Sequence, residues 1–175
     1  MLTLISGGAA SGKSEYAESV AVSAQTAGIP LVYLATMKVW GEEDRRRVER
    51  HRNMRLGKGF LTVERPEELA GASVPAGSVV LLECLSNLTA NECFGILGFE
   101  GARERILDGI DYLCARCSHV VIVTNELFGD GIKYPEETSR YLKVLSDLNR
   151  ELARRADRVV EVVCGLPVVW KGEEG

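Results

Sequence analysis

The chain has 175 residues, of which 46% are hydrophobic and 26% charged, as in an ordinary globular domain. This balance excludes collagen-like and disordered chains, and the length predicts a single domain over residues 1–175. A net charge of −4 argues against a general nucleic-acid binder. The charge is unevenly spread, because residues 45–58 carry +6 and the rest of the chain carries −10.

Targeting and cysteine patterns are those of a cytoplasmic protein. No apolar run approaches the roughly 18 residues of a membrane span, and the start of the chain lacks the basic-then-apolar order of a signal peptide. We therefore expect a cytoplasmic location and no membrane span. Five irregularly spaced cysteines fit reduced thiols, and Cys114 and Cys117 lack the further ligands of a zinc site.

Apolar runs alternate with segments of helical spacing along the chain. Runs rich in Val, Ile and Leu predict buried parallel strands at residues 2–5, 31–35, 79–82, 120–123, 159–163 and 166–170. Helices are predicted at residues 13–27, 42–55, 100–116 and 136–155. The last two strands are joined by only Cys164 and Gly165, which predicts an antiparallel hairpin at one sheet edge.

The segment after the first strand matches the phosphate-binding pattern GxxxxGK[ST] and opens a helix. In such a loop, backbone N–H groups and the helix N-terminus face phosphate oxygens. Its predicted nucleotide-binding residues are Gly7, Gly8, Ala9, Ala10, Ser11, Gly12, Lys13 and Ser14. We expect Lys13 to act catalytically on the β- and γ-phosphates and Ser14 to bind Mg²⁺. The predicted fold is a three-layer, RecA-like P-loop NTPase domain with a mostly parallel sheet.

A magnesium site also needs a carboxylate at the end of a neighbouring buried strand. Glu83 follows the apolar run 79–82 and is the predicted second metal ligand. Burial of this carboxylate is costly unless a cation or a hydrogen bond accompanies it. The alternative is that Glu83 simply emerges into solvent where the strand ends.

The basic stretch contains one histidine. In a helix, Arg47, His51 and Arg55 are four residues apart and share one face. The surrounding positive charge disfavours the imidazolium form, which leaves a lone pair able to attack phosphorus. The arginines can hold a triphosphate and the departing pyrophosphate. This combination indicates nucleotidyl transfer through a phosphoramidate, and a solvated charged helix face with an incidental histidine is the alternative.

Three other positions carry weaker indications. Glu64 ends a short predicted strand, and Asn125 follows the run 120–123 at the sheet edge where ligand-binding residues collect. Residues 129–131, Gly-Asp-Gly, predict a flexible loop. His119 precedes an apolar strand, and we interpret it as structural.

The order of these motifs resembles the bifunctional adenosylcobinamide kinase/adenosylcobinamide-phosphate guanylyltransferases of cobalamin biosynthesis. The resemblance runs the whole length of the chain. It is specific, because generic P-loop kinases do not combine a GGAxSGKS loop, an RxxxHR segment and an LLEC strand. The segments that carry it are residues 6–14, 33–36, 47–52 with 55, 62–64, 81–85, 123–126, 131–132, 135–136, 148–149, 156–157 and 165–167.

The resemblance implies a two-step transferase. It implies that ATP or GTP phosphorylates adenosylcobinamide, and that GMP from GTP then passes through a guanylyl-histidine to adenosylcobinamide phosphate. By position the guanylylated nucleophile is His51, and Glu64 is the candidate for guanine selection. The other nucleotide contacts that the resemblance implies, beside the phosphate-binding loop, are Ala35, Thr36, Met37, Arg52, Asn53, Met54, Arg55 and Glu83. It also implies a homo-oligomer, chiefly a trimer, and bound Mg²⁺.

The sequence departs from the family pattern at a few positions. Ala10 stands where the family commonly has arginine, Phe60 replaces a usual tryptophan, and residues 127–130 form a longer segment. Two other functions stay open at this point. One is a P-loop small-molecule kinase without guanylyltransferase activity, and the other is a nucleotide-sensing ATPase or GTPase module.

Overall fold

The computed structural model describes residues 1–39, 41–127 and 134–173, without the side chain of Arg47. The strands are β1 (Leu2–Ser6), β2 (Leu31–Ala35), β3 (Phe60–Glu64), β4 (Val79–Glu83), β5 (His119–Val123), β6 (Arg158–Val163) and β7 (Leu166–Lys171). The helices are α1 (Lys13–Ala24), α2 (Glu42–Arg55), α3 (Leu85–Phe94), α4 (Ala102–Arg116) and α5 (Glu136–Arg155), with a 3₁₀ turn at Leu69–Gly71. The predicted loop at residues 129–131 lies outside the described residues.

All seven strands form one sheet in the order β3-β2-β4-β5-β1-β6-β7. The first six strands of that order are mutually parallel, and β7 pairs antiparallel with β6. The predicted mostly parallel sheet with an antiparallel hairpin at one edge is therefore confirmed. Parallel pairing brings the carboxyl ends of six strands to one edge, where ligands bind in open α/β sheets.

The strand that carries Glu83 is not adjacent to β1. Strand β5 lies between them, because it pairs with β1 on one side and with β4 on the other. The expectation of a neighbouring strand was therefore wrong. After β4 the chain passes through α3 and α4 and then returns to the sheet as β5. Sequence order does not indicate which of these two strands pairs with β1, because that depends on how the helices pack.

Helices cover both faces of the sheet. On one face, alternate strand residues such as Leu34, Leu82 and Ile122 pack with side chains of α3, α4 and α5. On the other face, Leu81 and Val121 belong to the cluster that contains side chains of α1. This arrangement gives the predicted three layers. Helix α2 contributes no side chain to either cluster among the described residues.

Most predicted boundaries match the structure, and one helix was not predicted. Helices α2 and α5 have the predicted bounds, whereas α1 ends three residues earlier than expected and α4 begins at Ala102. Helix α3 was missed, and it follows β4 with only Cys84 between them. Within the described part of the chain, we find no helix with the length and apolarity that a membrane crossing requires.

Candidate nucleotide-binding and transfer site

The loop between β1 and α1 has the shape of a phosphate cradle. A side chain at Gly7 would meet the Ser11 Oγ and the Val162 carbonyl oxygen, each at 2.6 Å, so glycine alone fits there. Gly12 caps α1 with φ +89°, in the left-handed region. The Lys13 ammonium group arches back and donates a hydrogen bond to the Gly8 carbonyl at 2.9 Å. The loop thus places a lysine and the N-terminus of α1 at one opening.

Ser14 and Glu83 meet across the sheet edge. The Ser14 hydroxyl donates a hydrogen bond to Glu83 Oε1 at 2.6 Å. Burial raises the pKa of Glu83, and the bond from Ser14 opposes this shift. Glu83 Oε2 is buried, and no described residue hydrogen-bonds to it. A hydroxyl beside a partly unsatisfied carboxylate fits Mg²⁺, which prefers oxygen ligands.

The residues described here contain no group of three or more His, Cys, Asp or Glu side chains that could hold a metal ion without further ligands. Mg²⁺ usually completes its shell with waters and substrate phosphates and is bound through only one or two carboxylates. The Ser14 and Glu83 pair is therefore the type of protein contribution that a Mg²⁺–nucleotide complex needs.

A cleft of about 920 Å³ runs from this loop to helix α2 and strand β3. His51 lines it from α2, Glu64 from the end of β3 and Glu83 from the end of β4. The fold therefore brings into one cavity the two catalytic candidates and both metal-ligand candidates, which lie up to 70 positions apart in sequence. The other predicted nucleotide-binding residues that line this cleft are Ala9, Ala10, Ser11, Gly12, Ala35, Met37, Arg52, Met54 and Arg55.

Four predicted contacts do not line the cleft, namely Gly7, Gly8, Thr36 and Asn53. Gly7 shapes the loop from behind, as its close contacts require. Thr36 is fully buried, and its hydroxyl donates to the carbonyl of Cys84 and accepts from the Cys84 amide. Its side chain therefore joins β2 to the end of β4. Asn53 is exposed on α2.

Helix α2 is attached to the domain at its C-terminal end. The Arg55 guanidinium carbon lies 3.4 Å from the centre of the Tyr33 ring, and Arg55 is only 7% exposed. Three residues later, Lys58 forms a 2.6 Å ion pair with Glu18 of α1, whose side chain is fully buried. Burial is the main cause that raises the pKa of Tyr33, and the nearby Glu83 carboxylate raises it further. The Tyr33 hydroxyl therefore stays protonated, and the guanidinium stacks on a neutral side chain.

Beside the Glu83 carboxylate, one unsatisfied donor and one ion pair contribute to the electrostatics of the cleft. Arg55 Nη1 is buried and has no hydrogen-bond partner among the described residues. Such an uncompensated donor favours an anionic ligand. Near the mouth, Arg52 and Glu64 form an exposed ion pair at 3.3 Å. An exposed pair of this kind contributes little stability and is readily exchanged for a ligand.

Several lining residues were not predicted as contacts. Tyr33 lies within an apolar run, and its contact with Arg55 depends on where α2 packs. Asn87 enters the cleft from α3, a helix that the sequence pattern did not indicate. Asn125, which the sequence indicated only weakly, also lines the cleft and donates to the Ser86 hydroxyl at 2.6 Å. The indications for Asn125 were its position shortly after a predicted strand and its place in the segment 123–126, which carries the family resemblance.

The chain matches a profile of the family described as cobinamide kinase / cobinamide phosphate guanyltransferase over residues 3–170. It belongs to this family. It is 33% identical to the bifunctional adenosylcobalamin biosynthesis protein CobP of Pseudomonas aeruginosa, with 99% of each chain covered. It is also 33% identical to the bifunctional adenosylcobalamin biosynthesis protein CobU of Escherichia coli K12, covering 98% of this chain and all of the relative.

Membership of the cobinamide kinase family confirms the resemblance inferred from the motifs. A solved structure of a Pyrococcus horikoshii OT3 protein resembles the chain at a TM-score of 0.52, with 9% identity, 99% of this chain covered and 87% of the other. That likeness concerns the fold alone.

Proposed function

We propose that this protein phosphorylates adenosylcobinamide and then transfers GMP from GTP to adenosylcobinamide phosphate, giving adenosylcobinamide-GDP in cobalamin biosynthesis. One observation carries the proposal: the phosphate-binding loop, the Ser14–Glu83 pair and His51 line a single cleft in a member of this family. A kinase alone needs the first two of these features. Guanylyl transfer needs a nucleophile in addition, and the histidine among arginines would provide it.

In the phosphoryl-transfer step, the acceptor hydroxyl oxygen bonds to the γ-phosphorus, and the bond from that phosphorus to the bridging oxygen breaks. Lys13 stabilises charge on the β- and γ-phosphates, and the backbone of residues 8–12 holds them in place. Ser14 and Glu83 would hold Mg²⁺, which neutralises phosphate charge when bound. The proton of the acceptor hydroxyl leaves to solvent.

In the guanylyl-transfer step, the His51 imidazole nitrogen bonds to the α-phosphorus of GTP, and pyrophosphate leaves as that phosphorus loses its bridging oxygen. A phosphate oxygen of adenosylcobinamide phosphate then attacks the same phosphorus and releases the histidine. Arg45, Arg50, Arg52 and Arg55 line the cleft around His51. The unsatisfied buried donor of Arg55 supports a role in holding the departing pyrophosphate.

Glu64 is the proposed guanine-selecting residue. Its carboxylate would accept hydrogen bonds from guanine N1–H and the exocyclic amine, a donor pair that adenine lacks. The exposed Arg52–Glu64 ion pair would open when the base binds, at small cost because solvent screens it. The proposal includes ATP and GTP as substrates, a cytoplasmic location, one domain over residues 1–175, no nucleic-acid partner, and a homo-oligomer, chiefly a trimer.

The decisive experiment is self-labelling with GTP that carries the label on its α-phosphate, in the presence of Mg²⁺. Wild-type protein should retain an acid-labile label in the absence of any acceptor, because a phosphoramidate is stable to base and labile in acid. His51→Ala should retain none, since it removes the nucleophile. The matched control is His119→Asn, which changes the other histidine of the chain and should keep the label.

Two other outcomes would contradict the proposal. If wild-type protein phosphorylates cobinamide but retains no label, it is a P-loop kinase without guanylyltransferase activity. If it hydrolyses nucleotide slowly and transfers no phosphate to cobinamide, it is a nucleotide-sensing module.

A further inference from the structure

A second cavity opens beside the phosphate-binding loop, outside the nucleotide cleft. Its volume is about 580 Å³, within the range of small-molecule sites. The described residues that line it are Gly8, Glu126, Leu127, Tyr134, Thr138, Tyr141 and Leu142. Gly8 belongs to the phosphate-binding loop, and Leu127 also lines the nucleotide cleft. We propose that this second cavity is the acceptor subsite, where one edge of the corrinoid binds with its hydroxyl arm directed towards the phosphate-binding loop. The inference rests on the proposed function.

The position of the cavity fits an acceptor. The Gly8 carbonyl accepts the hydrogen bond from the Lys13 ammonium group, so only one backbone unit separates the second cavity from that lysine. A side chain built at Gly8 would meet no atom within 4 Å, which leaves an open path over the loop at this point. The Glu126 amide donates to the Gly7 carbonyl at 3.3 Å and fixes the cavity wall to the loop. An arm crossing Gly8 would thus approach the Lys13 ammonium group.

The chemistry of the lining distinguishes this cavity from a second phosphate site. Among the described lining residues, none is a lysine, arginine or histidine, and Glu126 is the one charged group. Leucine and tyrosine side chains provide flat apolar surface, which suits the methyl-bearing face of a corrin ring. A corrinoid carries amide N–H groups at its periphery, and the Glu126 carboxylate can accept hydrogen bonds from them. A nucleoside triphosphate would instead be repelled by Glu126.

One wall of the cavity is held rigidly before any ligand binds. The Tyr141 hydroxyl donates to the Ser86 carbonyl at 3.2 Å, and its ring lies 6.1 Å from that of Phe94. Tyr141 and Leu142 lie on α5, the longest helix described in the structure. Ligand-binding side chains on a rigid element lose little conformational freedom on binding. A corrin ring is larger than a cavity of this volume, so we expect one edge to insert and the remainder to face solvent.

The test measures direct binding of dicyanocobinamide by quenching of intrinsic protein fluorescence. Leu142→Glu places a carboxylate on the apolar wall and should raise the dissociation constant by at least about tenfold, since the new charge loses solvent when the ring binds. Lys143→Gln is the matched control, because it changes the charge by the same amount at the next, exposed position of α5. It should bind as wild type does.

A second pair of variants covers the case in which Leu142→Glu fails to fold. Thr138→Phe fills the cavity from the first turns of α5 and should also weaken corrinoid binding about tenfold or more. Glu137→Phe adds the same ring at an exposed neighbouring position and should not. Thermal melting of each variant reports folding, and self-labelling with GTP reports the integrity of the nucleotide cleft.

The outcomes separate this inference from the proposed function. If wild-type protein binds dicyanocobinamide and both cavity variants bind it equally well, the acceptor lies elsewhere and the two-step activity is unaffected. If wild-type protein transfers neither phosphate nor GMP to cobinamide, the proposed function is wrong and this inference falls with it. If the cavity variants lose corrinoid binding but keep the GTP label, the acceptor subsite is confirmed.

Discussion

At the scale of single residues, Glu83 combines a functional position with an unfavourable environment. Burial raises its pKa, and among the described residues only Ser14 donates a hydrogen bond to it, to one of its two oxygens. A group whose pKa is raised in the folded state stabilises that state below its unfolded pKa and loses this contribution as the pH rises. The Glu83 carboxylate therefore lowers the free energy of unfolding at neutral pH, and its proposed role as a metal ligand explains why a destabilising group stands there.

The substitution Glu83→Gln should separate these two effects. We expect phosphoryl transfer to need at least about tenfold more Mg²⁺, because a neutral amide replaces an anionic oxygen ligand. The melting temperature should stay level or rise, since the buried charge is gone. Kinase assays over a Mg²⁺ titration and thermal melting check both points. Glu137→Gln, at an exposed position of α5, is the control, and a lowered melting temperature with unchanged Mg²⁺ dependence would contradict this assignment.

At the scale of elements, helix α2 depends on contacts at its C-terminal end. It contributes no side chain to the described cores, while Arg55 stacks on Tyr33 and the nearby Lys58 pairs with the buried Glu18. Because His51 lies one turn before Arg55, these two contacts constrain the position of this proposed nucleophile. Gly57 and Gly59, with φ of +79° each, shape the connection after the helix.

Removing the Lys58 partner should therefore affect both stability and transfer. Lys58→Met leaves the Glu18 carboxylate buried without its cation, which costs about 3–5 kcal/mol for fully buried pairs. We expect the lower end of that range, because the Lys58 side chain is 37% exposed. Urea unfolding measures the free energy of unfolding. Self-labelling with GTP should slow as well, since α2 is held less firmly.

The double substitution Glu18→Met with Lys58→Met is the control for that prediction. It replaces the ion pair with apolar groups of similar length and should recover most of the lost stability. A double variant as unstable as Lys58→Met alone would mean that packing, and not the unpaired charge, causes the loss. Comparison of the single and double variants isolates the coupling between the two side chains.

At the scale of the whole molecule, the other histidine, His119, lies at the amino-terminal edge of the sheet and has a structural role. His119 begins β5, and its Nε2 is hydrogen-bonded to the buried Thr3 hydroxyl of β1 at 2.8 Å. Burial lowers the pKa of His119 from the ordinary value of 6.5, and the N-terminal ammonium group adds to this shift. The histidine joins the two central strands and confirms the structural interpretation drawn from its position.

The pH dependence of stability follows from that shift. Because the pKa of His119 is lower in the folded state, the unfolded chain takes up more protons as the pH falls below about 6.5. The contribution of His119 to the free energy of unfolding should therefore decline from neutral pH towards pH 5, opposite in sign to that of Glu83. Urea titrations at both ends of this range measure it. His119→Asn should show a shallower decline, and an equal slope in both proteins would contradict the assignment to His119.

The family, the phosphate-binding loop and most element bounds could be predicted from the sequence, because they depend on local patterns. Residues 7–14 carry their own backbone requirements, and each apolar run indicates a strand without reference to the others. The side chains that complete the cleft could not be predicted in this way. Tyr33 looks like any apolar strand residue, and Asn87 lies on a helix with no distinct periodicity.

By itself, the sequence determined that a P-loop would stand at the carboxyl edge of a mostly parallel sheet and that one histidine would lie among arginines. Tertiary structure alone decided that β5 separates β1 from β4, that Ser14 still meets Glu83, and that α2 is held by Arg55 and Lys58. The physical reason is the separation in sequence of the residues that interact. Loop geometry and hydrophobic periodicity are properties of neighbouring residues, whereas strand order and buried ion pairs depend on the packing of segments far apart in the chain.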